Sequence, residues 1–342
     1  MPDLSVELLD AAALARFVEV IIEQPGMRIW DDAPEEALVR RGLAMRRPGE
    51  PAIISRASYL LFAPRPANLF PQSEVLVDAY AGTKVSGKPR GQLNVNAPLM
   101  AAIEQVLEFV DKHTFHPTRV VGINNLALDE YPILGLREAL VNAVAHRNYE
   151  DASRKTAVQI FSDRIVVASP GYPPAPLTLA KLRKGNYRAC SRNPLIAQAL
   201  ATLKLMEQRG SGFARMRDAM LNHGLEAPVF AEQDGFFVVT FPGPNGNYER
   251  LKVPEGTPRL VYPAIEAQLN DRQKKIVRHV IETGSVNRRW CVVQFKVAND
   301  TAGRDLKSLT DLGLLVPQGR ARAVRYVLAN QRESTDNRPT LS

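Results

Sequence analysis

Apolar residues recur at every third or fourth position along several segments of this chain, the spacing that places them on one face of an α-helix. This spacing predicts helices at Ala11–Ile22, Glu36–Ala44 and Leu99–His113. Residues Ser58–Ala63 are rich in large apolar side chains and predict a buried element, whereas the alternation in Ser73–Tyr80 predicts a strand. The first third of the chain is therefore a mixed α/β region in which we find no motif that carries chemistry.

The segment Arg137–Tyr149 predicts a helix with two different faces. Glu138, Asn142 and His146 are spaced four residues apart and line one face, while an apolar stripe lies on nearly the opposite side. An amide oxygen is a hard ligand for Mg²⁺, and a carboxylate one turn away can orient or deprotonate a water molecule. The alternative is an ordinary amphipathic helix whose polar face is solvated. Asn and His among small alanines favour a magnesium-nucleotide site, because solvated faces usually carry Lys and Glu.

Two predicted strands and two glycine turns follow this helix. The strands Thr156–Phe161 and Arg164–Ala168 predict a hairpin, which runs directly into the turn residues Ser169–Pro174. Further along, a Gly-Ser-Gly turn precedes a predicted helix at Arg215–Met220. Backbone N–H groups at such a helix start can hold a phosphate. A Gly-Ser-Gly sequence alone is more often a plain turn, but in this order with the other elements it indicates a nucleotide site.

Three short helices and a hairpin are predicted near the C-terminus. The helices span Asp271–Ile281, Asn287–Lys296 and Thr301–Leu312, with Asn299 or Asp300 as the N-cap of the third. A hairpin formed by residues 314–316 and 323–328 follows. This order is typical of a winged helix-turn-helix, in which the third helix enters the major groove of duplex DNA and the hairpin forms the wing.

Positive charge is concentrated in the same region. The chain has a net charge of +8 and a pI of about 9.5. Residues 270–330 contain twelve Lys and Arg against five Asp and Glu, a local net charge of +7. Such an excess is typical of a protein that contacts DNA phosphates. The alternative is a winged helix used for protein contacts or dimerisation. The candidate DNA contacts are Asn299, Thr301, Arg304 and Lys307 on the helix, and Arg320, Arg322 and Arg325 on the wing.

Composition excludes several other classes of protein. The chain has 342 residues, of which 45% are hydrophobic and 23% charged, as in globular proteins of two or three domains. Cys190 and Cys291 are far apart and support neither a disulfide framework nor a cysteine-rich zinc site. We find no carboxylate or thiol partner for His113 and His116 and interpret them as a helix end. With no apolar run long enough to span a bilayer and no secretory signal at the start, we expect a cytoplasmic protein without a membrane partner.

Several segments resemble the GHKL ATPase family, and more closely its branch labelled RecG-like or Schlafen-associated. They are REALVNAVAHRNY, RIVVASPG, RNPLIAQAL, EQRGSGFARM and TAGRDLKSLTDLGLL, and the resemblance spans residues ~10–330. It implies a site for ATP and Mg²⁺, with Glu138 as the water-activating carboxylate and Asn142 as the magnesium ligand. The other nucleotide-binding residues that it implies are His146, Ser169, Gly171, Arg192, Asn193, Gly210, Ser211, Gly212 and Phe213.

Two features depart from the family pattern. The general pattern has an Asp two residues before the glycine of the first turn, where it accepts the adenine amino hydrogens. This chain has Ser169 at that position. The closer branch usually lacks the Asp as well. A hydroxyl accepts such a bond more weakly than a carboxylate, which leaves ATP affinity and base selectivity open. The branch also commonly begins with a Schlafen- or AlbA-type nucleic-acid-binding domain, which we do not find. The chain is then either a naturally short member or partial.

The predicted fold class is α+β: a GHKL-like (Bergerat) α/β sandwich with an N-terminal α/β support region and a C-terminal winged helix-turn-helix. The predicted boundaries are 1–119 for the support region, 120–242 for the ATP-binding domain, 243–267 for a linker rich in Pro and Gly, 268–330 for the winged helix, and 331–342 for a polar tail that we expect to be disordered.

The function predicted from these features is that of an ATP- and DNA-binding protein, a transcriptional regulator whose winged helix responds to nucleotide. One alternative is a DNA-associated ATPase of the RecG-like helicase label. Another is a non-enzymatic scaffold or defence accessory with a decayed ATP site. The chain has no G-x-x-x-x-G-K-[ST] motif, which argues against helicase activity. The sequence does not decide whether the protein hydrolyses ATP slowly with Mg²⁺, or whether it forms a homodimer.

Overall fold

The computed structural model describes residues 4–22, 34–85, 87–121, 124–185, 187–188, 190–207, 210–253, 269–319 and 324–329. The chain forms two compact units, the first made of residues 1–117 and 129–253, the second of residues 118–128 and 254–342. Arg320, Arg322, the predicted tail 331–342 and most of the predicted linker lie outside the described residues. The mixture of helices and strands confirms the predicted α+β class.

The first unit contains eight described helices, and the second contains three. In the first unit they are α1 (Ala11–Ile22), α2 (Pro34–Arg40), α3 (Arg56–Phe62), α4 (Leu99–His113), α5 (Ile133–His146), α6 (Leu179–Lys184), α7 (Pro194–Thr202) and α8 (Gly212–His223). In the second they are α9 (Asp271–Thr283), α10 (Arg288–Phe295) and α11 (Asn299–Asp311).

Twelve strands are described along the chain. In the first unit they are β1 (Ala44–Met45), β2 (Ile53–Ile54), β3 (Val75–Ala79), β4 (Gly91–Val95), β7 (Thr156–Ile160), β8 (Arg164–Pro170), β9 (Val229–Gln233) and β10 (Phe236–Pro242). In the second they are β5 (Thr118–Val121), β6 (Asn124–Ala127), β11 (Leu315–Gln318) and β12 (Arg325–Leu328).

A six-stranded sheet forms the centre of the first unit. Its strand order is β4-β3-β7-β8-β10-β9, with β3 and β7 parallel and the other neighbours antiparallel. In β3 the residues Val75, Val77 and Ala79 are buried and alternate with half-buried neighbours, so one face of the strand packs on the core. The sheet takes strands from both sides of residue 119, where the predicted support region ends.

Helix α5 packs between α4 and α8 and against strand β8. Its apolar stripe, which includes Leu136, Leu140 and Val144, is buried, and its alanines allow neighbouring elements to approach closely. The helix ends at His146, although the pattern predicted helix to Tyr149. The backbone of Arg147 is no longer helical, with a φ of −51° and a ψ of 145°. Its buried guanidinium stabilises the turn that follows by donating to the carbonyl oxygens of Asn148 at 2.7 Å and of Arg154.

Other predicted elements are confirmed with changed boundaries. Helices α1 and α4 have the predicted limits, and the buried element at 58–63 is helix α3, capped by the Ser55 hydroxyl. The helix predicted at Glu36–Ala44 is α2, Pro34–Arg40, followed by strand β1. Gly42, with a φ of +68°, reverses the chain between them.

The second unit contains the hairpin β5–β6 together with α9, α10, α11 and the antiparallel pair β11–β12. Its core includes Ile276, Val280, Leu306, Leu309 and Leu315. Helix α9 begins with a reciprocal cap in which Asn270 and Gln273 each bond the other's backbone N–H. Helix α11 begins at Asn299, and Ala298 occupies its N-cap position without a side-chain hydrogen bond. The prediction that Asn299 or Asp300 is the N-cap is therefore wrong. None of the described helices is both long and apolar enough to span a membrane.

Candidate functional site

A cavity of about 340 Å³ lies beside α5 in the first unit. Its lining residues come from helices α5, α6 and α7, from strands β8 and β10, from the segments that follow β8 and precede α7, and from the start of α8 with the segment before it. This volume is within the range of roughly 300–1,000 Å³ found for small-molecule sites. Much of the lining is apolar, and the predicted nucleotide residues that belong to it are Glu138, Asn142, His146, Ser169, Gly171, Gly210, Gly212 and Phe213.

Glu138 and Asn142 form a hydrogen-bonded pair on the cavity face of α5. Asn142 Nδ2 donates to Glu138 Oε1 over 3.1 Å, as their spacing of one helical turn allows. The second carboxylate oxygen, Glu138 Oε2, accepts from Arg215 Nη2 at 2.7 Å. Since the amide nitrogen of Asn142 is used by Glu138, the amide contributes its oxygen as an acceptor.

The charge of Glu138 depends on two opposing effects. Burial raises the pKa of its carboxyl group, and the nearby Arg215 guanidinium lowers it; the net direction is upward. Glu207, which pairs with the same guanidinium at 3.0 Å, adds a small further increase. A carboxylate with a raised pKa is a stronger base than an exposed one, which suits the acceptance of a proton from water.

Gly212 brings the backbone of α8 directly against this pair. A Cβ atom at Gly212 would lie 2.3 Å from Glu138 Oε1 and 3.0 Å from Asn142 Nδ2. Only glycine therefore leaves the carboxylate in its position, and the first backbone groups of α8 lie at this end of the cavity. The start of a helix carries N–H groups without intrahelical partners, which favour negative charge.

His146 lies one further turn along α5 and lines the same cavity. Its Nδ1 shares a hydrogen bond of 3.2 Å with the hydroxyl of Ser191. Burial, with a smaller contribution from the Arg192 cation, lowers the pKa of the imidazole to about 4. At neutral pH this histidine is therefore an uncharged hydrogen-bonding group.

Ser169 and Gly171 lie at the end of β8. The Ser169 hydroxyl is buried and donates to the carbonyl oxygen of Ala143 at 2.7 Å, so what it offers the cavity is its lone pairs. Gly171 has a φ of +101°, and a Cβ atom there would approach the Asn148 Cβ to 2.9 Å. The turn thus requires glycine for both its conformation and its space.

Three predicted nucleotide residues do not line the cavity. Asn193 caps the C-terminus of α5, because its Nδ2 donates to the carbonyl oxygens of Ala145 at 3.0 Å and Arg147 at 2.8 Å. Arg192 donates to the Tyr172 carbonyl oxygen at 2.8 Å. Ser211 donates to Glu207 Oε2 at 2.6 Å. The structure therefore gives each of them a contact with the protein itself.

Several lining residues were not predicted. Glu207 and Tyr187 both line the cavity, and the Tyr187 hydroxyl donates to the Gly210 carbonyl oxygen at 2.5 Å. Arg215 contacts the cavity's carboxylates from the first turn of α8. A cation one turn beyond a glycine-rich helix start, opposite a helix with an acidic face, is the signal that could have identified it.

The interpretation of His116 as a histidine without carboxylate partners is wrong. This side chain has two carboxylate partners, Asp111 Oδ1 at 3.5 Å and Asp129 Oδ1 at 3.4 Å, although none was predicted. The fold brings Asp129 back beside the end of α4, which sequence spacing does not indicate. All three side chains are exposed. The hydrogen bond that the His116 imidazole donates to the Asp111 backbone carbonyl is the main cause that raises its pKa, and the two carboxylates raise it further. The prediction that His113 ends a helix is confirmed.

In the second unit, the described DNA candidates lie on two elements. Asn299, Arg304 and Lys307 are exposed on α11, and Thr301, in the first turn of the same helix, is half-buried. Arg325 is exposed on β12. Asp305, on the inner side of α11, is buried and pairs with Arg272 over 2.9 Å.

Comparison with known proteins identifies an ATPase-like region. Residues 154–241 match the family described as "Putative ATP-dependent DNA helicase recG C-terminal". This span contains β7, β8, β9, nearly all of β10, the Gly171 turn and α8, and it begins after Glu138 and Asn142. The curated proteins gave no match.

The fold is similar to that of a solved structure. That structure is the DIP2311 protein from Corynebacterium diphtheriae, with a TM-score of 0.56 and 20% sequence identity over 95% of this chain. The chain spans 62% of the length of that protein. At this identity the likeness concerns the fold alone.

Proposed function

We propose that the first unit binds Mg-ATP in the cavity beside α5. The observation that carries the proposal is the juxtaposition of the Glu138–Asn142 pair with the glycine-rich start of α8, within a unit whose residues 154–241 match an ATPase-like family. The helix start suits the phosphates, and the apolar part of the lining suits a purine base. The lone pairs of Ser169 suit an amino group on that base.

The residues present fit a magnesium ion. Mg²⁺ in nucleotide sites commonly takes one or two protein oxygens together with phosphates and waters. The amide oxygen of Asn142 provides one such ligand, since its nitrogen is bonded to Glu138. The ion would offset phosphate charge beside the two carboxylates Glu138 and Glu207.

Slow hydrolysis follows from the same arrangement. Glu138 would accept a proton from a water molecule whose oxygen forms a bond to the γ-phosphorus. The bond from that phosphorus to the bridging oxygen breaks, which leaves ADP and inorganic phosphate. General-base assistance of this kind is worth roughly 10²–10⁴-fold.

Equilibrium binding of labelled ATP, with and without Mg²⁺, tests this function. We expect Asn142→Ala to abolish the Mg²⁺-dependent part of the affinity while the fold stays intact. Asn222→Ala, at an exposed asparagine on α8, is the matched control. Equal Mg-ATP binding by Asn142→Ala and the wild type would show that the metal ligand is assigned wrongly.

We further propose that residues 268–330 form a winged helix-turn-helix that binds duplex DNA. The supporting observations are the exposed Asn299, Arg304 and Lys307 on the third helix, the exposed Arg325 on the hairpin, and the local net charge of +7. Arg and Lys at such positions meet phosphates or base edges. The competing role for this unit is protein contact, including a homodimer.

DNA binding is measured by anisotropy with the full chain over a range of salt concentrations. Affinity should fall with salt at a log–log slope of about −0.9 per neutralised phosphate, and Arg325→Ala should reduce that slope by about one phosphate. Arg304→Ala should also relax sequence preference if it meets a base. Arg47→Ala, at an exposed arginine in the first unit, is the control. Absence of DNA binding at low salt, with a concentration-dependent mass, would favour the protein-contact role.

The biological role that we propose is transcriptional regulation by nucleotide. Mg-ATP should then change DNA affinity without DNA changing the turnover rate. Stimulation of hydrolysis by DNA would instead favour a DNA-associated ATPase. A protein that binds DNA but not ATP would favour a scaffold with a decayed site.

A further inference from the structure

Arg215 connects two carboxylates at the glycine-rich end of the cavity. Its Nη2 lies 2.7 Å from Glu138 Oε2, and its Nη1 lies 3.0 Å from Glu207 Oε1. The side chain is 40% exposed, whereas Glu138 is 9% exposed. One guanidinium therefore joins the proposed general base on α5 to a residue just before the glycine-rich turn.

The acidic side chains at this end of the cavity do not favour the binding of a triphosphate, which is itself negatively charged. Among the described lining residues, the carboxylic acids are Glu138 and Glu207, and none is a lysine or an arginine. Both carboxylates repel phosphate oxygens, and a bound Mg²⁺ would offset only part of that repulsion, because Mg-ATP keeps a net negative charge. Arg215 already contacts both carboxylates, and a guanidinium can form paired hydrogen bonds to a phosphate as it does to a carboxylate.

The bonding of Arg215 is also incomplete. Its Nε is buried and has no hydrogen-bond partner among the described residues. Buried donors are rarely left without a partner, and an arginine that only braced the structure would be expected to use this one. The side chain can gain a bond by moving, and its partial exposure gives it room to do so.

We propose that Arg215 is a switch that senses the terminal phosphate: it pairs with Glu138 and Glu207 in the nucleotide-free protein and turns to the γ-phosphate of bound Mg-ATP. This movement frees Glu138 to accept the proton of the attacking water. The inference rests on the proposed ATP site and adds to it a reason why ATP, and not ADP, completes that site.

The test compares Mg-ATP and Mg-ADP affinities of the full chain by calorimetry. Wild type should prefer Mg-ATP, and Arg215→Met should lower that preference roughly tenfold or more, the value of a charge-assisted hydrogen bond. Arg215→Lys keeps the cation and should retain part of the preference. Arg217→Met is the matched control, because Arg217 lies two residues away on α8 and pairs with Asp218.

A second variant separates a switch from a brace. Glu207→Gln removes one competitor for the guanidinium, so Mg-ATP should bind more tightly, and this gain should shrink in the Arg215→Met background. A brace predicts weaker binding in Glu207→Gln instead.

The outcomes distinguish the two proposals. A wild type that binds neither nucleotide overturns the proposed function and this inference with it. A wild type that binds both, with a preference unchanged by Arg215→Met, overturns the switch alone. A preference lost in Arg215→Met, partly kept in Arg215→Lys and unchanged in Arg217→Met supports the switch, with circular dichroism showing that each variant is folded.

Discussion

Replacement of Gly212 by alanine tests how closely α8 approaches the pair on α5. The added Cβ would lie 2.3 Å from Glu138 Oε1, far inside van der Waals contact, and 3.0 Å from Asn142 Nδ2. The backbone of two packed helices resists separation, so the carboxylate has to rotate. That rotation breaks its 3.1 Å bond from Asn142 and misaligns its 2.7 Å pair with Arg215.

Two effects on stability partly cancel. A hydrogen bond to a charged group is worth about 1.5–3 kcal/mol, and the ion pair less because Arg215 is 40% exposed. Alanine is favoured over glycine in a helix interior by about 1 kcal/mol, and the gain is smaller at Gly212, which is the first residue of α8. We therefore expect Gly212→Ala to lower the free energy of unfolding by only about 1 kcal/mol, which chemical denaturation would measure.

The effect on ligand binding should be larger than the effect on stability. A displaced Glu138 and a crowded helix start alter both the metal and the phosphate contacts, and errors of about 1 Å can cost 10²-fold in catalysis. We expect Mg-ATP affinity to fall at least tenfold, measured by calorimetry. Gly82→Ala is the control, because a Cβ there meets nothing within 4 Å. A Gly212→Ala protein with wild-type Mg-ATP affinity would refute the proposed position of the phosphates.

Three further predictions concern other residues of the first unit. Glu138→Ala should bind ATP but lose roughly 10²–10⁴-fold in turnover by a phosphate-release assay, and undiminished turnover would exclude it as the base. Folding lowers the pKa of His146 from 6.5 to about 4, so the unfolded chain binds more protons than the folded chain between pH 6.5 and about 4. The denaturant midpoint should therefore fall as the pH drops through this range. The fall should be smaller in His146→Gln. Asn193→Ala should lower the free energy of unfolding by about 1–2 kcal/mol, measured by chemical denaturation, because the carbonyl oxygens of Ala145 and Arg147 lose their donor. An unchanged midpoint would mean that water replaces the amide of Asn193.

Sequence periodicity predicted the elements whose burial is one-sided. Helix α4 has an apolar stripe and a solvated face, so its limits, Leu99–His113, follow from the pattern alone. Edge strand β4, Gly91–Val95, was missed because its alternation of polar Gln92 and Asn94 with apolar Leu93 and Val95 covers only four residues. Local spacing also placed Glu138 and Asn142 on one face, because one helical turn separates them.

Sequence spacing does not predict contacts between segments that are distant along the chain. Arg215 is 77 residues from Glu138, and only the packing of α8 on α5 brings them together. The same holds for His116 and Asp129, whose proximity depends on where the chain returns after the β5–β6 hairpin. Asn193 was predicted to meet nucleotide, but its amide satisfies carbonyl groups at the end of α5, a need that appears only once the helix end is known.

The interleaving of the two units along the chain affects how the protein can be made and divided. The second unit takes residues 118–128 from the middle of the first, and the parallel strands β3 and β7 of the first lie on either side of that excursion. During synthesis β3 cannot pair with β7 until residue 160 has left the ribosome, and the central sheet is complete only after β10, which ends at residue 242. Its folding therefore depends on contacts distant in sequence. A chain cut at residue 253 would keep the β5–β6 hairpin without the helices of its own unit. Removal of residues 254–342 is therefore not a clean domain deletion, and point substitutions are the better means of separating the activities of the two units.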